Sequence, residues 1–355
     1  GTDEYRQVWL DEGFNTYWTQ RYLEDKYGTD AKIVVMPRWL EYFIPDPTFR
    51  RIRDYQYLYF ARRGLDQSIV TELPSFYEPS LIFTMAYGKG SAVVRMFAAY
   101  VGEEKFSKIM RTYFQRYQYQ NATIGDFIKV CEEVTGEDLK WFFDEWLYGT
   151  GLCDYALRRQ KGKLVLEKLG RVTMPVETKL EFQDGTQEII SSSGKERSET
   201  IDIPKDKKLK SASLDYEEKL LDIDRVNNHL PRKLDVKFVP IYLWLYDYPL
   251  FLKEDAYNWV TGPSFSAYGL GLRTSFQKPD DYIVYAASHY QLNSSAVNSS
   301  VGFEKMGFLH QYMSWGAEFF NRDSKNDEED DLRWYKLYIR RELSLGEGFF
   351  EPAGL

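Results

Sequence analysis

Histidine and cysteine are scarce in this chain, with three histidines (His229, His289 and His310) and two cysteines (Cys131 and Cys153) among 355 residues. No histidine has a partner four positions away, so each reads as a surface or packing residue and not as a metal ligand. Two cysteines exclude a disulfide framework. Cys131 lies in an apolar helical pattern and reads as a buried thiol, while Cys153 follows a helix end, with a bridge between them as the alternative. No run of about 18 apolar residues occurs, so no membrane-crossing helix is readable. Positive charge is also in deficit: the net charge of −8 argues against a general nucleic-acid binder. There is no G-x-S-x-G elbow, no Walker loop and no dinucleotide fingerprint. Nor is a signal peptide readable; the chain opens on Gly1 and reads as the middle of a longer protein.

What is present is a large apolar fraction and an excess of aromatic rings. Hydrophobic residues make up 43% of the chain, enough for a sizeable core and against global disorder. The length suits two domains or more. Tyrosine (28) and phenylalanine (23) bring the aromatic share to 17%, high enough to need a local explanation.

Three regions differ in period. Residues 1–153 read as helical. Apolar positions recur at helical spacing over Gln7–Tyr27, Met36–Tyr42, Tyr55–Gly64, Gly90–Tyr100, Glu103–Tyr117, Phe127–Thr135 and Glu137–Tyr148. Gly28, Gly102, Gly136 and Gly149 punctuate them, and Thr123–Asp126 reads as an N-cap. Residues 154–230 change to a period of two, with alternation in Lys163–Glu167, Pro175–Phe182 and Glu199–Ile203 and a turn at Asp184-Gly185. This predicts a β-sandwich. Residues 231–355 lengthen the strands to nine or ten residues and fill them with aromatics. The candidates are Tyr268–Gln277, Tyr282–Leu292, Ser299–Met306, Tyr312–Phe320 and Leu332–Leu343, joined by polar connections. The acidic run Asp323–Asp331 reads as a solvated hairpin loop.

The segment Val8-Trp9-Leu10-Asp11-Glu12-Gly13-Phe14-Asn15-Thr16-Tyr17 resembles the W-L-N-E-G-F-A-x-Y segment of the aminopeptidase N family, zinc metallopeptidases of the gluzincin kind. The resemblance implies that Glu12 is a zinc ligand. It also implies that two histidines of an H-E-x-x-H motif lie upstream, at an offset that falls before Gly1. A carboxylate on a second helix suits such a site, because catalytic zinc takes three protein ligands and keeps one position open. Leu10 and Phe14, four apart, would pin the Glu12 helix to the core. Asp11 is a candidate to orient the metal helix or the substrate amine. Ala86-Tyr87-Gly88-Lys89-Gly90-Ser91-Ala92 resembles the family's Y-E-K-G-A segment, which assigns Tyr87 to stabilising the oxyanion of the tetrahedral intermediate. Gly88 departs from the family's Glu there. A longer match, from Thr123 through Gly136-Glu137-Asp138-Leu139 to Trp141–Leu147, is assigned to packing. Gly151–Tyr155 resembles the family's G-x-P-x-Y exit, with Cys153 in place of Pro.

The resemblance covers about residues 3 to 228. It implies an α+β multidomain fold: a helical, thermolysin-like catalytic part, a β-sandwich, then an antiparallel sheet. It implies a zinc-dependent peptidase acting on peptide substrates through a zinc-bound water, with this stretch alone inactive. The alternative is a non-catalytic, peptidase-like binding or assembly module. Residues 231–355 lie outside the resemblance. Their long aromatic strands suit part of an outer-membrane β-barrel, which would put the protein in a bacterial envelope. A soluble antiparallel sheet is the competing reading.

Overall fold

The computed structural model describes residues 2–3, 5–29, 31–32, 36–41, 43, 47–77, 79–161, 163–266, 269–291, 295–307, 313–323 and 332–341. They divide into two compact units, one built from residues 1–31 and 48–231, the other from residues 32–47 and 232–345.

The first unit opens with α1 (Val8–Tyr27), which buries Trp9, Leu10, Phe14 and Tyr17 and stops at Gly28, whose φ of +90° suits only glycine well. The expected helix over Met36–Tyr42 is the single turn α2 (Arg38–Glu41) of the second unit; Tyr42 lies outside the described residues. The chain returns as α3 (Phe49–Arg62), six residues earlier than the apolar period suggests. Thr48 starts it: its hydroxyl accepts from the Arg51 N–H at 3.1 Å. The charged cluster Arg50, Arg51, Arg53 and Asp54 hides that first turn from a hydrophobicity reading.

Helix α4 (Pro79–Phe83) runs into one wide π-helical turn, Thr84–Lys89, and on into α5 (Gly90–Val101). Helix α6 (Glu103–Tyr117) follows. Next comes α7 (Ile124–Thr135), closed at its start by a reciprocal Thr123–Asp126 capping box and at its end by left-handed Gly136. The helix expected over Glu137–Tyr148 is instead a short α8 (Lys140–Phe143) and a second π turn, Asp144–Tyr148. There the Leu147 carbonyl, which has no helical donor at the end of the turn, accepts from the Ile69 N–H at 3.1 Å and the Ser68 hydroxyl at 3.0 Å.

Two small sheets complete this unit. Strands β1 (Tyr155–Gln160) and β2 (Lys163–Lys168) pair with β5 (Ser198–Ile201). Strands β3 (Val176–Phe182), β4 (Gln187–Ser192), β6 (Leu209–Leu214) and β7 (His229–Leu230) form the second sheet, in the order β4-β3-β6-β7. The β3–β4 hairpin turns at Asp184-Gly185, where Gly185 has a φ of +85°. Inward residues of both sheets, such as Leu157, Leu166, Phe182 and Leu214, share one continuous core with Trp9, Phe97, Phe142 and Trp146 of the helices. The helical segment and the sandwich thus form one body, not two separately cored domains.

The second unit is a seven-stranded sheet, ordered β14-β13-β12-β11-β10-β9-β8. Its strands are β8 (Lys233–Phe238), β9 (Ala256–Ser266), β10 (Gly269–Lys278), β11 (Tyr282–Gln291), β12 (Ala296–Lys305), β13 (Met313–Asp323) and β14 (Leu332–Arg341). Strands β9 to β14 are an antiparallel meander. Strand β8 pairs parallel to β9, which corrects the expectation of a wholly antiparallel sheet. Residues 239–252 make the crossover that allows it, folding over the sheet through two short 3-10 turns. Strand β9 escapes a sequence reading because Pro263 interrupts it. In the structure β8 pairs only as far as Thr261, so no ladder bond is lost at the proline. Among the described residues β8 and β14 remain edges, so the sheet is not a closed barrel. No helix of the described residues is long and apolar enough to cross a membrane.

Candidate active site

Glu12 lies one turn into α1, half-buried, on a helix held to the core by Leu10 and Phe14 as the four-residue spacing requires. The Phe14 ring meets Phe127 edge-on, with centroids 5.1 Å apart. Behind Glu12, Gly13 packs directly on Gly90 of α5. A Cβ on Gly13 would sit 3.1 Å from the Gly90 carbonyl carbon and 3.3 Å from the Ala86 carbonyl oxygen. One glycine from each family-like segment therefore sets how closely α1 and the Tyr87 turn approach.

That approach brings the two predicted residues together. The Tyr87 hydroxyl donates a hydrogen bond to the Glu12 Oε1 carboxylate oxygen. Burial first, then the Glu12 hydrogen bond and charge, push the Tyr87 pKa up to about 12, so the phenol keeps its proton at neutral pH. Among the described residues no cation pairs with Glu12; its partner is a neutral donor. Asp11, on the same turn, accepts from the Asn15 side-chain amide at 3.4 Å and does not reach Tyr87 by hydrogen bond.

Tyr87 owes its position to the π turn. A wide turn leaves carbonyls without their usual helical donors, and Ser91 answers them: its fully buried hydroxyl donates to the Tyr87 carbonyl at 2.6 Å, with the Gly88 carbonyl at 3.1 Å. Gly88, where the family has Glu, faces α3. A Cβ there would lie 3.1 Å from the Arg53 carbonyl oxygen. The next residue, Lys89, is 1% exposed and buries its ammonium on Asp66, with Nζ–Oδ1 at 2.9 Å. Nζ also donates to the Gly149 carbonyl at 3.1 Å, and the Tyr57 hydroxyl donates to Asp66 at 3.1 Å. Burial pushes the Lys89 pKa down and the Asp66 pKa up, and each group's charge opposes the other's shift. This buried pair anchors the turn in one register, since removing either partner would strand a charge in the core.

Arg53 is the site residue that sequence reasoning missed. Its guanidinium carbon lies 5.9 Å from the Tyr87 ring centroid and 5.2 Å from that of Phe49, and Nη1 donates to Gln56 at 3.1 Å. The missing signal was the early start of α3, which places Arg53 opposite Gly88.

The other predicted residues stay apart from this site. His229 shares a hydrogen bond with the Ser213 hydroxyl and His289 with the Ser264 hydroxyl; His310 lies outside the described residues. Cys131 and Cys153 are free buried thiols, which settles the alternative of a bridge, and burial pushes both thiol pKa values up. Among the described residues no group of three potential ligands converges. What Glu12 offers a metal is a single half-buried carboxylate without a cation. That fits one ligand of a zinc site and not a complete set.

Residues 2–146 match the model of the Peptidase family M1 domain. The chain is 29% identical over 165 residues to "Aminopeptidase M1-C" of Oryza sativa subsp. japonica, covering 46% of this chain and 17% of that protein. It is 28% identical over 167 residues to "Alanine/arginine aminopeptidase" of Saccharomyces cerevisiae, covering 46% and 18%. Against "Aminopeptidase N" of Streptomyces lividans it is 38% identical over 68 residues, covering 19% and 8%. The chain thus spans less than a fifth of the length of these relatives. Through its helical segment, residues 2–146, the chain is thus similar to the M1 aminopeptidases, in line with the resemblance of its Glu12 and Tyr87 segments to the aminopeptidase N family.

Proposed function

We propose that the protein carrying this chain is a zinc-dependent, aminopeptidase-like enzyme that hydrolyses peptide bonds. Glu12 is one of the residues that hold the metal, and Tyr87 is the donor to the reacting carbonyl. The observation that carries this reading is the hydrogen bond between Tyr87 and Glu12, from two segments 75 residues apart in the chain. When bound, zinc would supply Lewis acidity and a lowered water pKa. Glu12 contributes negative charge from a rigid helix. Tyr87 contributes an O–H that can turn from the carboxylate to a peptide carbonyl oxygen as negative charge develops there, a role worth about 3 kcal/mol for a well-placed oxyanion donor. Lys89–Asp66 and Ser91 hold the turn, so the phenol is aimed before substrate arrives. The 355 residues by themselves are expected to bind zinc weakly and to lack turnover, because their described part offers one ligand.

In the full-length protein, Glu12→Ala should lower the bound zinc measured by atomic absorption. Tyr87→Phe should leave zinc content unchanged and reduce kcat on an aminoacyl-arylamide substrate about a hundredfold. An unchanged kcat in Tyr87→Phe would return that tyrosine to the packing residues. Full zinc content in Glu12→Ala would remove Glu12 from the ligands and favour the binding or assembly module.

A further inference from the structure

The sheet of the second unit is inside-out. In a sheet that folds in water, apolar side chains are covered and polar ones are exposed. Here Asn258, Ser275, Gln277 and Asn298 are each 2% exposed or less, while Phe265, Leu272, Tyr335 and Leu337 are between 60% and 82% exposed.

The strand register shows that this is a property of whole faces. Following paired residues across the meander, one row reads Trp259, Phe276, Val284, Phe303, Ala317, Leu337. The neighbouring row on the same face reads Thr261, Thr274, Ala286, Val301, Phe319, Tyr335. Neither row holds a charge. The charges on this face, Lys278, Lys305, Asp323 and Arg333, stand at or next to strand ends. The opposite face carries Arg273, Glu318 and Lys336 in mid-strand, and Glu304 next to the end of β12. Arg273 bonds Asp247 at 3.0 Å, and Glu304 accepts from Ser314 at 2.6 Å and Tyr338 at 3.0 Å. The rings of Tyr285 and Tyr338 lie over Gly302 and Gly316 on that face, filling the space a Cβ would take.

We infer that the exposed apolar face of β9–β14 is a lipid-contacting surface, whose occupant is the hydrocarbon of a bilayer, and that these strands are a section of barrel wall. Three observations select lipid over a second protein. The charged groups of the face stand at or next to the strand ends, as the two interfaces of a membrane would place them, and only uncharged polar residues such as Thr274, Ser288 and Ser299 lie within it, whereas a protein interface is ringed by a polar rim on every side. Apolar exposure continues undiminished onto the edge strand β14, where Ile339 is 59% exposed beside Leu337. And the strands have ten or eleven residues, within the nine to eleven that a tilted crossing strand needs. Among the described residues β14 is an edge, and an unpaired edge is not tolerated in hydrocarbon, so a complete wall would pair it. Such a wall is that of a barrel of the outer-membrane type. The inference rests on this sheet alone and stands or falls separately from the peptidase reading.

The test is parity along the strands. Single cysteines would be introduced in the full-length protein at Leu272, Val284 and Val301 on one face and at Ser275, Ala287 and Ser300 on the other. Each would carry an environment-sensitive fluorophore, in phosphatidylcholine–phosphatidylglycerol vesicles with brominated acyl chains. The expected result is flotation with the vesicles and loss of most fluorescence at the first three positions, with the second three little changed. Quenching at both sets or at neither would overturn the inference. So would recovery as a detergent-free soluble dimer in which the first set is shielded. Unlabelled protein supplies a control that does not depend on any substitution: it should float with vesicles, and recovery in the lipid-free fraction would also overturn the inference.

Discussion

Asp222 is a fully buried carboxylate in the segment that closes the sandwich. It accepts backbone N–H groups of Tyr155 at 3.1 Å and Asp224 at 2.9 Å and the Asn228 amide at 3.3 Å. Burial, and then the charge of Asp154, raise its pKa from 3.8 to about 7. The folded protein therefore holds a proton on Asp222 between these values that the unfolded chain has released. Stability from this group is fully present below 3.8 and is lost as the pH rises through about 7. Asp222→Asn should be less stable near pH 4, since it gives up one acceptor, and its urea midpoint should lack the downward slope between those two pH values, so the gap to the wild type closes as the pH rises. An identical slope in both proteins would mean that the three donors keep Asp222 ionised. Residue identity of this kind was partly legible. Glu12 and Tyr87 could be singled out as candidates, and their proximity expected, because each sits in a string of matched neighbours. Arg53 could not, because nothing in its own segment shows that the turn facing it is a π turn.

Between elements, the Gly13–Gly90 contact sets the distance from α1 to the Tyr87 turn. The atoms that a Gly13 Cβ would meet are backbone, which cannot rotate aside. Gly13→Ala should therefore cost roughly 1–3 kcal/mol as overpacking, lower the unfolding midpoint and weaken whatever depends on Glu12 and Tyr87 being adjacent. Gly125→Ala in α7 is the control: its Cβ would meet nothing closer than 3.7 Å, and alanine is the better helix former. If the two variants proved equally stable, the glycine pair would not be setting the helix spacing. The elements also show where sequence patterns stop. Helices with a clear apolar stripe and a glycine stop, such as α5 and α7, lie where their period puts them. The second π turn meets hydrogen bonds from distant residues, Ile69 and Ser68 to Leu147, which no local period encodes, and the early start of α3 lies in a charged first turn that its Thr48 cap begins.

At the scale of the whole molecule, the chain does not visit its compact units in sequence order. It leaves the first after Ala31, contributes residues 32–47 to the second, and returns at Thr48. Changes of period show where strands replace helices near residue 154, but not that the sandwich shares the helices' core, because burial across elements leaves no trace in a local pattern. The long strands of the second unit were legible from alternation. Which of their faces is apolar was not, since each strand alone looks mixed and only the cross-strand register sorts the residues into rows.

The excursion of residues 32–47 bears on how this protein can be taken apart. Its two ends are fastened together, with the Phe49 N–H donating to the Ala31 carbonyl at 2.9 Å, so the segment is an inserted loop with a closed neck. Within the second unit it meets a partner, the Phe43 carbonyl accepting from the Tyr246 hydroxyl at 3.5 Å. Two excisions, not one, therefore separate the units. A chain stopped at Pro231 keeps the loop without the sheet it belongs to and should aggregate on size-exclusion chromatography. The same chain with residues 32–47 exchanged for a short glycine–serine bridge across the neck should elute as a monomer with its helical circular dichroism intact. Equal behaviour of the two would show that the loop needs no sheet to dock on.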